Sequence, residues 1–142
     1  MTYEYLPRVA TPAEHRLIAE AVGWDHAFDW SAMPLSLARS VAGVVVLHEG
    51  GPVGMGRVIG DGAFYFYVQD VAVMPEHQGR SVGGEIVDRL WAQIEALAPP
   101  KSFVGLFAAG PAAQLYERRG FARHPGMAGM FQVVRERPVT VA

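Results

Sequence analysis

Residues Val68 to Leu90 read VQDVAVMPEHQGRSVGGEIVDRL. An apolar strand runs into Met74-Pro75, a loop spans Glu76 to Arg80, and a helical pattern begins at Val82. From there apolar residues fall at Ile86, Val87, Leu90, Trp91, Ile94 and Leu97, a 3.6-residue period held over about five turns. Pro99-Pro100 stop it, since proline can neither donate to a helix nor fit its interior. The loop and first helical turn carry Gly79, Gly83 and Gly84. A helix N-terminus leaves several backbone N–H groups unpaired and carries partial positive charge. Glycines let an anion approach that backbone closely. Gln78 adds a side-chain donor, and Arg80 can grip a phosphate with two. A strand, loop and helix so spaced make a pyrophosphate cradle. The plainer reading of the same glycines is a turn that feeds a helix.

Upstream of this stretch, Tyr3 to Val9 reads as an opening strand. Thr11 is an N-cap with Pro12 at the first helical position and Glu14 three residues on, so a capping box starts a helix there. Leu17, Ile18, Ala21 and Val22 form its apolar stripe, and Gly23 ends it. Trp24 to Ser40 is irregular or short helix and rich in aromatics. Val41 to His48, Val53 to Ile59 and Phe64 to Val73 read as three strands of an antiparallel meander, with turns at Glu49–Pro52 and Gly60–Gly62. Downstream, Phe103 to Phe107 is a short strand. Gly110-Pro111 opens a short helix through Arg118, and Phe121 to Val134 reads as one or two closing strands. The order predicts an α/β fold with a mixed sheet.

A chain of 142 residues suits one domain, 1–142, with a core of its own. Half the residues are hydrophobic and under a fifth are charged, which excludes a disordered chain. The net charge of −2 comes with no basic block, which argues against a nucleic-acid partner. No stretch approaches the length of a membrane span, and no signal-like core opens the chain; the expected location is cytoplasmic. There is no cysteine, so no thiol can carry an acyl group. The five histidines show no metal-ligand spacing, so no metal is assigned.

Other phosphate motifs do not fit. A P-loop ends in Gly-Lys-Ser/Thr, and the one lysine is Lys101. Gly54, Gly56 and Gly60 miss the dinucleotide spacing and fall in a strand and its turn, so they read as hairpin residues. The quoted stretch instead resembles motif A of the GNAT superfamily of acetyl-CoA-dependent N-acetyltransferases. In that motif an apolar strand, often followed by Pro-Glu, leads to Gln/Arg-x-x-Gly-x-Gly/Ala at a helix start. The match here falls on Gln78, Ser81 and Gly83, with Ser81 where the family prefers glycine. Leu115-Tyr116-Glu117-Arg118-Arg119-Gly120-Phe121 resembles motif B, and Val53-Gly54 with Gly56-Arg57-Val58 fits the preceding meander strand. The family's frequent asparagine at the motif B helix start is missing from Gly110-Pro111-Ala112-Ala113.

The resemblance implies a mostly antiparallel sheet flanked by about four helices, with a splayed strand pair that holds acyl-CoA. It implies that Val71, Ala72 and Val73 meet the pantetheine arm, and that Gln78, Gly79, Arg80, Ser81, Val82, Gly83 and Gly84 meet the pyrophosphate. Acyl transfer would be direct. The amine must lose a proton, because an alkyl ammonium has a pKa of about 10. Asp70 is a candidate base, or else a strand carboxylate held by its neighbours. Tyr116 matches the family's usual acid, or else is a core tyrosine on the face of Ala112. Trp24, Phe28, Trp30 and Tyr65 are candidates to line the acceptor pocket, or else packing. The expected activity is transfer of acetyl from acetyl-CoA to a primary amine of a small molecule. The alternatives are a protein N-terminal or lysine acetyltransferase and a non-catalytic acyl-CoA sensor. A homodimer is an expectation from the resemblance alone.

Overall fold

A computed structural model describes residues 1–135. The last seven positions of the expected domain lie outside the described residues. The strands are β1 (Glu4–Leu6), β2 (Ala42–His48), β3 (Gly51–Gly60), β4 (Tyr65–Val73) and β5 (Phe103–Gly105). The helices are α1 (Pro12–Ala21), α2 (Met33–Ala38), α3 (Val82–Leu97) and α4 (Ala113–Glu117). One sheet carries the strands in the order β1-β2-β3-β4-β5. The first four are antiparallel, and β5 joins β4 in parallel. The mixed, mostly antiparallel α/β architecture is the one the sequence predicts. No described helix is long and apolar enough to cross a membrane.

The sheet has a helix layer on each face. On one face the α3 stripe of Val82, Ile86, Leu90 and Ile94 meets Val44, Val46, Val58, Phe66 and Val68. Each large aliphatic buried this way contributes roughly 1.5–3 kcal/mol. Gly56 lies where α3 crosses β3. A Cβ there would come within 2.8 Å of Ile86 Cγ2 and 2.9 Å of Leu90 Cδ1. Gly54 and Gly56 lie in a hairpin strand as expected, and they also let α3 pack closely on the sheet. On the other face Ile18 of α1 packs on Ala10, Val45, Met55 and Ala72.

Local chemistry sets most boundaries as expected. Thr11 and Glu14 form the capping box, with Glu14 N–H donating to Thr11 Oγ1 at 3.2 Å and Thr11 N–H to Glu14 Oε1 at 2.8 Å. The α1 face differs from expectation: His15, Ile18 and Ala19 are buried, and Leu17 is turned to solvent. The β2–β3 turn takes its two positive φ angles at Glu49 and Gly50, so Gly51 already belongs to β3. Phe121 to Arg135 forms no strand; the segment is broken by Pro125-Gly126 and by Gly129, and it is almost wholly exposed.

Candidate active site

Strand β4 is paired on its β5 side for only three positions, Tyr65 with Phe103, Phe66 with Val104 and Tyr67 with Gly105. Beyond Tyr67 it runs on to Val73 with that edge open. This is the expected splay. A β-bulge decides which groups face the opening. Arg57 pairs with Gln69 and Met55 with Ala72, so Gly56 alone opposes both Asp70 and Val71. Asp70 sits at φ 55°, left-handed for a non-glycine residue.

The bulge changes the backbone alternation. Before it, Asp61 N–H bonds Tyr65 C=O and Phe103 N–H bonds Phe64 C=O. Odd-numbered residues of β4 therefore face β3, and even-numbered ones face β5. After it, Met74 N–H bonds Val53 C=O, so even-numbered residues face β3. Main-chain groups alternate edges along a strand. Val71 and Val73 thus turn theirs to the open edge, while Ala72 is committed to β3. Gln78 donates its side-chain amide to Val73 C=O at 2.9 Å, tying the loop to that edge.

The loop after β4 makes one 3-10 turn at Pro75–His77 and passes through Gly79 at φ 74° and Ser81 at φ 64°. Ser81 occupies the α3 N-cap position, and its hydroxyl makes no capping bond. The first helical bond is Glu85 N–H to Ser81 C=O, so the amides of Val82, Gly83 and Gly84 precede the α3 ladder. Gly79 has open space around its Cα, and Arg80 and Ser81 are exposed beside it. The cradle residues fit an anionic diphosphate: backbone donors with no partner among the described residues, a positive dipole end and open space at Gly79. Gly84 has another task. A Cβ there would collide with the Arg119 guanidinium, which also binds Asp88 Oδ1 at 2.8 Å and Leu115 C=O at 3.1 Å. That clamp fixes α4 to the start of α3, and sequence reasoning missed both Arg119 and Asp88.

Tyr116 lies on α4, 7% exposed, with its ring edge-on to Phe121. Burial pushes its phenol up from the ordinary value, which keeps it protonated. Asp70 lies on the other face of the sheet in a buried network. Its Oδ2 accepts from His15 Nε2 and Arg57 Nε, each at 3.0 Å, and Oδ1 accepts from Gln69 at 3.3 Å. Burial raises its carboxyl, but the His15 hydrogen bond and the Arg57 guanidinium outweigh that and hold it below the ordinary carboxylate value. Arg57 also donates to Ser36 C=O and to the Ser36 and Ser40 hydroxyls. His15 lay in plain view of the sequence. It shares a helical face with Ile18, Ala19 and Val22, and a histidine in an apolar stripe needs a polar partner.

The aromatic candidates separate. Phe28 and Trp30 close over His15 at ring distances of 4.9 and 5.9 Å, and Arg16 lies over Trp30. Trp24 packs against the α1-side core, and Tyr65 sits at the closed end of the splay beside Phe64 and Phe103.

A model of the acetyltransferase (GNAT) domain matches residues 40–123. The chain belongs to the GNAT acetyltransferase family. Among curated relatives, the GNAT chain is 35% identical over 80 residues to GCN5-related N-acetyltransferase 2, chloroplastic, of Arabidopsis thaliana. It is 36% identical over 76 residues to serotonin N-acetyltransferase 2, chloroplastic, of Oryza sativa subsp. japonica. These matches take in 56% and 54% of this chain but 30% and 37% of the relatives, so the chain spans about a third of their length. Among solved structures, a protein of unknown function from meticillin-resistant Staphylococcus aureus aligns with a TM-score of 0.86 at 26% identity, over 94% of this chain and 100% of that one. A GNAT family acetyltransferase from Streptococcus pneumoniae aligns at 0.75 and 21% identity, over 95% and 98%, a likeness of fold.

Proposed function

We propose that the chain transfers an acetyl group from acetyl-CoA directly to a primary amine of a small molecule. The observation that carries this reading is the junction of an open β4 edge with an uncapped α3 N-terminus. One feature suits an extended, hydrogen-bonding arm and the other a diphosphate. In this reading the amides of Val82, Gly83 and Gly84, with Gly79, Arg80 and Ser81, hold the pyrophosphate, and Val71 and Val73 bind the arm. Acetyl-CoA supplies the activated acyl carbon: the amine nitrogen bonds to it, the C–S bond breaks, and an amide and free CoA thiol result. An edge amide, Val71 or Val73, polarises the acyl oxygen. Tyr116 gives its phenolic proton to the departing sulfur and regains one from solvent.

The amine sheds its proton to water, because Asp70 already accepts from three donors and is held well ionised. Asp70 serves here as an anchor and not as the base. Phe28 and Trp30 support an acceptor with an apolar or aromatic body, and a relative named for serotonin acetylation is in keeping with that. The test is an amine panel followed by free-thiol release, alongside thermal unfolding with acetyl-CoA. Turnover on a small amine and a cofactor-dependent rise in Tm are expected, since a ligand bound only to the folded state must stabilise it. No rise at saturating acetyl-CoA overturns the cradle. A rise without turnover on any amine leaves a binding protein in place of an enzyme.

A further inference from the structure

We infer that His15 and Arg57 are positioning residues that act through Asp70 to hold the β4 bulge and so aim the Val71 and Val73 main chain at the open edge. The inference rests on the function proposed above. Three observations support it. The bulge is what turns odd-numbered residues outward after Asp70, as the change of alternation between Tyr65 and Met74 requires. Asp70 pays backbone strain at φ 55°, which persists only where surroundings over-determine it. Those surroundings are a buried cross-link of four elements. His15 on α1, Arg57 on β3 and Asp70 on β4 are 1%, 7% and 8% exposed, and Arg57 is tied on to Ser36 of α2.

The details favour positioning over proton transfer by His15. Its Nε2 donates to Asp70, and its buried Nδ1 has no partner among the described residues. Phe28 and Trp30 meet the ring edge-on. All the hydrogen bonding of the ring is therefore directed at the bulge. A glycine at position 70 would adopt φ 55° freely but would leave the cross-link without its acceptor. Retaining aspartate there couples the bulge to both helices on that face.

The test follows amide resonances during acetyl-CoA titration of the wild-type chain, His15→Leu and His15→Gln. Glutamine places an amide donor near the position of His Nε2 and cannot titrate. In the wild type, acetyl-CoA shifts both the cradle amides (Val82, Gly83, Gly84) and the edge amides (Val71, Val73). In His15→Leu the cradle shifts persist, with Kd changed less than about twofold, because the helix terminus is a separate site. The edge shifts shrink, and kcat on the best panel amine falls about tenfold, as misplacement of a reacting group does. His15→Gln restores edge shifts and kcat together. If His15→Leu does not fold, His15→Asn, whose amide is too short for Asp70, takes its place. Edge shifts unchanged in the disrupting variant overturn the inference, and so does His15→Gln behaving no better than that variant. A wild type in which neither set of amides responds overturns the cofactor reading and the inference with it.

Discussion

The two faces of β4 solve different problems with different materials. On the α3 side, the proposed cradle is built from backbone: amides without a partner among the described residues, two left-handed residues and a strand edge. On the α1 side, the Asp70 network is built from buried side chains drawn from four elements. Backbone sites tolerate side-chain change so long as the chain path survives. Buried charged networks do not, because removing one member strands another away from water. The comparison therefore predicts large stability losses on the α1 side. On the α3 side it predicts losses of packing or activity.

The largest effect is expected from Arg57→Leu. It leaves Asp70 buried without its cation, and breaking a buried pair in this way costs about 3–5 kcal/mol. Urea denaturation measures it, and a loss below about 1 kcal/mol would place the pair among weak surface bridges and erase the contrast. Next is Tyr116→Phe. A general acid is worth about a hundredfold or more, while the hydroxyl has no protein hydrogen bond among the described residues. Turnover should fall by that order with acetyl-CoA affinity and Tm nearly unchanged; equal turnover removes Tyr116 from the acid role.

Gly56→Ala should cost about 1–3 kcal/mol by overpacking, since its Cβ meets Ile86 and Leu90 under 3 Å away. A smaller loss means α3 can shift off β3. Ser81→Gly should do the opposite. It relieves a left-handed residue and stabilises by about 1 kcal/mol, with cofactor binding preserved. Weaker binding would show that the Ser81 hydroxyl itself takes part in the cradle.

The smallest effect concerns pH. The Arg8 hydrogen bond holds the Glu14 carboxyl down from 4.5 to about 2, and Asp70 is also depressed. A depressed carboxylate stabilises the fold above its unfolded pKa, and that contribution is lost as pH falls through the folded one. Stability should therefore hold above 4.5 and decline toward 2, the span of the Glu14 shift. Glu14→Gln should flatten part of that decline in denaturation series run across the window. Because Arg8 is largely exposed, high salt should shrink the effect.

Much of this was legible in the residues. The meander, the capping box, the long helix and the loop from Gln78 to Gly84 follow from periodicity, turn chemistry and glycine placement, which are local. The closing strands expected in Phe121 to Val134 were not found, because alternation proposes a strand but only a partner edge makes one. Gly54 and Gly56 read only as hairpin residues within a strand, because a sequence does not show that α3 crosses that strand. Asp70 was legible as a buried-strand carboxylate, but its partners His15 and Arg57 lie 55 and 13 positions away.

The sequence by itself determined the order of elements through α4 and the strand, loop and helix on which the proposed cradle rests, since these depend on neighbours within a few residues. Only the tertiary structure decided the bulge at Asp70, and with it which amides of β4 face the open edge. A bulge is a mismatch of register between two strands, and register exists only when both are in place.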